Sequence, residues 1–532
     1  MSQSLEFEKT HRFSKLILDY IAQKQELSSF YNRFPIVENF KDQIKEKLEN
    51  YNSEYRLTLV DVLNSQYDKY AVSNATKLNI NLLKESNTFT ITTGHQLNLF
   101  TGPLYTFYKI ISVLNTCKEL KTNYPEYNFV PIFWLASEDH DFDEINFFNC
   151  QNTKIEWDVE SNGAVGEKPL HNLDNPLNIF KSQLPKSPFS DEILSLFKEA
   201  YLNHETLSEA SIYLYNKLFG EFGLVVLEPN VKALKSLFKP YIGKEILEEV
   251  TYRKVHTQAK ALKSFGYHEQ VTPRDINFFY KTTGLRERIV KKGDNYFVNN
   301  TTLEFTKAEM IDEIELHPER FSPNALLRPL YQEVILPNLS YIGGGGELAY
   351  WFELKTTFKA FNITFPSLQL RNSVLLFTQK TKRKIEKMDL CLEDIFLNSQ
   401  DLKNKYVKKA SEIKIDFSKQ KQHLSLQFKD LYDLAKKTDK SFLGAVAAQE
   451  KKQHNGLDKL EKRLLRAQRR KMSDDLQRLE ALQLSLFPKQ NLQERVSNFT
   501  EYYTIYGKSF THFLVENLHP FDYRFLLLQL KS

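Results

Sequence analysis

The chain has 532 residues, with 72 basic and 67 acidic side chains and a formal charge of +5. At roughly 150 residues per domain it holds two to four domains, and its 13% aromatic content, with 40 Phe and 27 Tyr, excludes a disordered chain. So small a charge excess gives no reason to expect nucleic acid, the three cysteines show neither a disulfide framework nor a metal spacing, and no apolar run nears the ~18 residues of a membrane span.

The N-terminus, MSQSLEFEKTHRF, has no apolar signal core, so a cytoplasmic location and no membrane partner are expected. Residues 1–86 read as mostly helical. Residues 87–93 (NTFTITT) are rich in β-branched side chains and predict a strand. It ends in Gly94-His95-Gln96, and Thr101-Gly102-Pro103 follows, with Pro103 suited to the first position of a helix over 104–120. Residues 129–137 (FVPIFWLAS) form a near-continuous apolar run, as expected of a parallel strand covered on both faces. Together these segments predict a βαβ unit.

The alternation recurs with a strand at 224–227 and a helix at 231–250. Residues 275–300 predict antiparallel hairpins turning at Thr283-Gly284 and Gly293-Asp294, an insertion of about 270–302 beside the main sheet. A helix at 328–336, a strand at 339–342, a loop Gly343–Gly346, a helix at 347–361 and a strand at 365–369 complete the α/β part, about 1–373. From 374 to 487 proline is absent and Lys, Glu, Gln and Leu dominate. Leu424, Phe428 and Leu431, then Leu457, Leu460 and Leu464, and the series Leu465, Met472, Leu479 and Leu486 read as seams of a helical hairpin or coiled coil, turning near Asp439-Lys440. The tail, 488–532, leaves this pattern and is expected to pack back on the core.

Three constellations could carry chemistry. Thr93-Gly94-His95-Gln96 with Thr101-Gly102 lies where a strand hands over to a helix, the place where open α/β sheets bind ligands and where free N–H groups suit phosphate or carboxylate. An ordinary turn with a surface histidine is the competing reading. Glu138-Asp139-His140-Asp141-Phe142-Asp143-Glu144 packs five carboxylates and a histidine behind a buried strand. Such crowding costs energy unless a cation, a substrate ammonium or a proton compensates, so it could bind an amine, hold Mg²⁺ or supply a base, or else be a solvated acidic loop. Arg328 and Gln332 with the run Gly343-Gly344-Gly345-Gly346 suggest close backbone approach to an anion, although neither a Walker A nor a dinucleotide fingerprint is present and a flexible loop is the alternative. Lys471-Met472-Ser473 and the basic run 459–471 fall inside the predicted coiled coil and read as coincidence and a solvated helix face.

Gly94-His95-Gln96, Thr101-Gly102-Pro103-Leu104-Tyr105, Tyr108-Lys109, Pro131-Ile132-Phe133-Trp134, the acidic cluster, Arg328-Pro329, Gly343-Gly344 with Glu347-Leu348-Ala349-Tyr350-Trp351, and Leu492-Gln493-Glu494-Arg495 occur in this order and resemble the bacillithiol biosynthesis family BshC. Gly345-Gly346 depart from many relatives in the glycine loop. The resemblance implies a Rossmann-like core with inserted connecting segments and a coiled-coil domain supporting a homodimer. It further implies a ligase that joins the carboxyl group of L-cysteine to the amine of glucosaminyl-malate, with ATP or ADP as expected cofactor. Mg²⁺ is left open and no protein metal site is expected. On this basis His95, Glu138, Asp139 and His140 are expected to be catalytic. Thr93, Gly94, Gln96, Thr101, Gly102, Asp141, Arg328, Gln332, Gly343, Gly344 and Arg371 are expected to bind substrate or nucleotide, with Arg328 and Arg371 on the malate carboxylates. The rivals are a nucleotidyltransferase acting on another substrate and a non-catalytic coiled-coil scaffold.

Overall fold

A computed structural model describes residues 2–151, 153–438 and 440–531. At its centre is a five-stranded parallel sheet formed by β1 (Thr88–His95), β2 (Asn128–Leu135), β3 (Val225–Leu227), β4 (Asn338–Gly343) and β5 (Ser367–Leu370), in the order β5-β4-β1-β2-β3. The apolar run of β2 is explained by cover on both faces. Val130, Ile132 and Trp134 join one core with the helices Tyr55–Tyr67 and Lys232–Glu248. Phe133 and Leu135 join another with Tyr105–Asn123 and Leu207–Phe219. Two-sided burial removes the polar alternation of a half-exposed strand.

The chain runs outward from β1 to β2 and β3, then returns across β1 to build β4 and β5. The strand order therefore reverses between β1 and β4, and a crevice opens there above the carboxyl ends, the place where such sheets take ligands. Between β3 and β4 the inserted segment forms a second, antiparallel sheet from 278–282, 285–292, 295–298, 304–305 and 321–323. Its turns fall at Gly284 and Gly293, where φ is 72° and 62°. This sheet is larger than the hairpins read from 275–300, because Phe321–Pro323 pairs with Phe278–Thr282 from a distance in sequence.

Three boundaries differ from expectation. The helix after the GHQ turn begins at Tyr105, so Pro103 precedes it. The glycine loop is short, because Gly345 and Gly346 already lie in the helix Gly345–Trp351. Val374–Thr378 is a strand rather than the start of the helical region. It pairs in parallel with Phe525–Leu530, which pairs antiparallel with Ser2–Leu5, so the tail stitches both ends of the chain into one small sheet.

The helices Ser418–Ala435 and Lys440–Lys471 form the hairpin, held by Lys421 with Asp458 and Glu461, both at 2.7 Å, and by Tyr432 with Glu450 at 2.9 Å. The expected turn at Asp439-Lys440 lies partly outside the described residues, since Asp439 is not among them; Lys440 opens the second helix. Leu424 and Phe428 pack in the seam, whereas Leu431 and Leu460 remain exposed. The helix breaks at Met472, and Leu479 and Leu486 on Ser473–Leu486 pack into the main core. That heptad series was read as a coiled-coil seam. It packs inward, where the core already offers an apolar surface. Among the described residues no helix is long and apolar enough to cross a membrane.

Candidate active-site crevice

β1 and β2 run in register to their ends, with His95 opposite Leu135 and the Ala136 amide donating to the His95 carbonyl at 3.0 Å. The turns after the two strands therefore emerge side by side. A Cβ at Gly94 would lie 3.3 Å from the Trp134 carbonyl oxygen, a tight contact that a glycine avoids. Beneath the turn, the fully buried Lys109 Nζ donates to the Gly94 carbonyl and, at 2.7 Å, to Glu347 Oε1. Glu347 also accepts from Tyr341 Oη at 3.0 Å and from the Gly344 amide at 2.8 Å. Burial disfavours the Glu347 carboxylate, but Lys109 and these donors outweigh it and hold its pKa at about 2. Burial lowers the Lys109 pKa, with Glu347 opposing.

Gly94, Gly344 and Glu347 line a cavity of about 400 Å³ with His95, Gln96, Tyr105, Asp139, Arg328, Arg371 and Arg495. His95 Nε2 is buried without a hydrogen-bond partner. Burial and the neighbouring Lys109, Arg328 and Arg371 charges keep the His95 pKa down at about 3, despite Glu347. The imidazole is thus neutral, in a crevice where cations predominate.

The acidic cluster disperses on folding. Glu138 turns inward, and Lys235 Nζ takes both its oxygens at 2.7 and 2.9 Å. Asp139 accepts from Gln96 Nε2 at 3.2 Å and from the His140 amide at 2.9 Å. Burial opposes its charge, yet Arg286 and Arg328 keep its pKa below the ordinary carboxylate value. Arg286 Nη1 meets His140 Nδ1; a guanidinium only donates, so Nδ1 must be the unprotonated nitrogen. Asp141 stays half-exposed, 3.7 Å from His140 Nε2, and Glu144 accepts from Gln96 at 3.0 Å. Lys235 compensates Glu138 and Arg286 and Arg328 compensate Asp139, while Asp141, Asp143 and Glu144 are exposed to solvent. Among the described residues no group of three His, Cys, Asp or Glu side chains is placed to hold a metal ion.

A second cavity of about 510 Å³ lies between the end of β2 and the inserted sheet. Asp139, Ala325 and Arg328 line both cavities, so the two adjoin over this shared wall.

The fold gathers Gly94, His95, Gln96, Asp139, Arg328, Gly344 and Arg371 around one crevice, with His140 and Asp141 in the neighbouring cavity. Other expected residues are used elsewhere. Thr93 Oγ1 donates across the sheet to the Ile342 carbonyl at 2.7 Å. Thr101 and Gly102 fold into a buried turn with φ of 68° and 62°, gripped by Asn498 Nδ2 on the Phe100 and Gly102 carbonyls at 2.9 and 2.7 Å. Gln332 is buried and donates to Glu333 at 3.1 Å. Gly343 accepts the Arg371 amide at 2.9 Å. Arg371 reaches the crevice, but its terminal nitrogens are committed to Glu494 at 2.8 Å, the Asn372 carbonyl at 2.8 Å and Ser373 at 3.2 Å. Glu138 offers no free carboxylate and His140 no free Nδ1, so neither is available as the expected base.

Lys109, Arg274, Arg286, Arg288 and Arg495 join the site beyond the residues expected from sequence. Lys109 was detectable as the first charge in an otherwise apolar helix face, and Arg286 and Arg288 as two cations on one side of a strand.

With this geometry established, two family models match the chain. The N-terminal Rossmann-like domain of bacillithiol biosynthesis BshC matches residues 1–372, and the C-terminal coiled-coil domain of the same family matches residues 374–530. The chain belongs to the bacillithiol biosynthesis BshC family. Full-length relatives agree. One from Christiangramia forsetii is 50% identical over 528 residues, covering 98% of each chain. One from Flavobacterium johnsoniae is 49% identical over 524 residues, covering 98% of this chain and 99% of its own. A more distant one, from Cytophaga hutchinsonii, is 35% identical over 493 residues, covering 93% and 92%. Each carries the name "Putative cysteine ligase BshC". The Rossmann-like description agrees with the parallel sheet, and the coiled-coil description with the helical hairpin.

Proposed function

We propose that this chain is a cytoplasmic cysteine ligase that joins the carboxyl group of L-cysteine to the amine of glucosaminyl-malate, with ATP as the activating nucleotide, and that it acts as a homodimer. The observation that carries this reading is the position of Asp139, an ionised carboxylate on the wall shared by two adjoining cavities, both lined by arginines. Two substrates entering from the two sides would meet there.

The smaller cavity suits anionic oxygens. The neutral His95, with Nε2 unpartnered, and the cations Arg328 and Arg495 are the residues that would hold phosphate or carboxylate oxygens. The nucleotide, when bound, supplies activation of the cysteine carboxyl. Asp139, held ionised by Arg286 and Arg328, is a weak base. Its role is to bind and orient the substrate ammonium, which must lose a proton before it attacks. The rate should therefore follow deprotonation of that amine.

The test supplies ATP, L-cysteine and glucosaminyl-malate to the purified full chain and follows the ligated product by mass, with AMP and ADP measured separately. Product dependent on all three substrates is expected, together with its loss in His95→Ala and Asp139→Ala. Product formation undiminished in both variants would remove these residues from the chemistry. In a deletion strain, glucosaminyl-malate should accumulate and bacillithiol disappear.

A further inference from the structure

We infer that the larger cavity, beside the inserted antiparallel sheet, is a dicarboxylate-binding subsite built by Arg274, Arg286, Arg288 and Arg328. On the reading proposed above, it takes the malyl end of the amine substrate.

The charge balance of the wall is the starting point. Four guanidinium groups line the cavity with three carboxylates, Glu138, Asp139 and Asp141. Glu138 is already neutralised by the buried Lys235. Four cations then face two anions, an excess of two that a dianion would balance. Some arginines of this molecule are neutralised by carboxylates, as Arg320 is by Glu313 at 2.6 Å and Arg524 by Asp522 at 2.7 Å. Arg274 and Arg288 have no ion-pair partner among the described residues.

The wall is also built. Arg286 is 9% exposed, its Nε donates to Ser322 Oγ at 3.0 Å, and its guanidinium lies 3.9 Å from the Phe279 ring centroid. Arg288, two residues along the same strand, projects to the same side, 5.9 Å from the same ring. Arginine forks match planar carboxylates through paired N–H···O bonds, which lysine cannot do. Arg371, the residue expected from sequence to meet a carboxylate, has its terminal nitrogens occupied by Glu494, Asn372 and Ser373. Among the described residues, Arg371 keeps only its Nε unpartnered, whereas Arg274 and Arg288 each present a whole unpaired fork to the larger cavity. A dicarboxylate anchored there puts an attached amine beside Asp139, directed at the smaller cavity.

The experiment titrates the full chain with L-malate, with lactate as the single-carboxylate control and ATP as the phosphate control. It compares the wild type with an Arg274→Ala/Arg288→Ala variant whose melting curve is checked first. Malate should bind the wild type at least about tenfold more tightly than lactate, and the variant should lose about tenfold or more of malate affinity while its ATP affinity stays within about twofold. The KM for glucosaminyl-malate should rise in parallel, and the KM for cysteine should not. Equal malate binding in both proteins, no malate binding to the wild type, or loss of ATP instead of malate overturns the subsite. Arginine-dependent malate binding in a protein that forms no ligated product upholds the subsite and discards the ligase reading.

Discussion

Lys109 Nζ stands 2.7 Å from Glu347 Oε1, and this pair of a buried ammonium and a partly exposed carboxylate ties the strand ending at His95 to the helix beginning at Gly345. It spans the switch point between β1 and β4 and fixes the crevice width. Lys109→Met would leave the Glu347 carboxylate without its cation and the Gly94 carbonyl without its donor. Denaturant unfolding should show a loss of about 1–3 kcal/mol, less than for a fully buried pair because the Glu347 carboxylate is partly exposed. Adding Glu347→Gln should recover most of that stability without recovering ligation.

His95 should not titrate in the physiological range. Its pKa of about 3 lies below the ordinary value, so on acidification the unfolded chain takes the proton first. The stability tied to neutral His95 is complete above about pH 6.5 and is lost as pH falls toward the folded value. The His95 ring proton resonance should be stationary from about pH 8 to about pH 5. His95→Ala should lower kcat by about 10²-fold without altering the shape of the pH profile, as expected for a lost neutral donor.

Glu353 gives a second pH signature, with the opposite sign. It is fully buried; Oε1 accepts the Gln270 amide at 2.7 Å and Oε2 has no partner. Burial pushes its pKa up to about 7. The folded chain then holds a proton that the unfolded chain releases near its ordinary value of about 4.3, so stability declines as pH rises from there to about 7. Glu353→Gln keeps the bond to Gln270 and removes the charge. Its unfolding free energy should exceed that of the wild type by on the order of 1–3 kcal/mol at about pH 8 and match it near pH 5.

The helical hairpin exposes Leu431 and Leu434 to 40% and 57%, three residues apart and so on one helix face. For the proposed homodimer this face is the candidate contact. Sedimentation of the full chain should give a dimer, and Leu431→Glu/Leu434→Glu should shift it to monomer while the core melts unchanged. A variant that stays dimeric would place the contact elsewhere.

The fold was largely legible because its signals are local. The apolar run of β2, the Gly284 and Gly293 turns and the proline-free helical stretch each report their own surroundings. The candidate site was legible only in part. His95 and Asp139 stand at strand ends, where motif and topology coincide. Thr101 and Gly102 lie as near in sequence to those motifs, yet they are buried in a structural turn, because Asn498, which holds that turn, lies 398 residues from Phe100 and 396 from Gly102 and leaves no local trace; Gln332 bonds its own neighbour Glu333 in a helix that only the fold buries.

By itself the sequence determined which segments become strands and helices and where the chain changes character near residue 374, since periodicity and turn chemistry act over a few residues. Only the tertiary structure decided which charges remain available. Lys235 neutralises Glu138 from 97 residues away and Glu494 occupies Arg371 from 123 residues away. Arg286 closes on His140 from an inserted sheet, 146 residues distant. A charge is spent or spared by whatever packs against it, and in a parallel sheet with long crossovers that neighbour lies far along the chain.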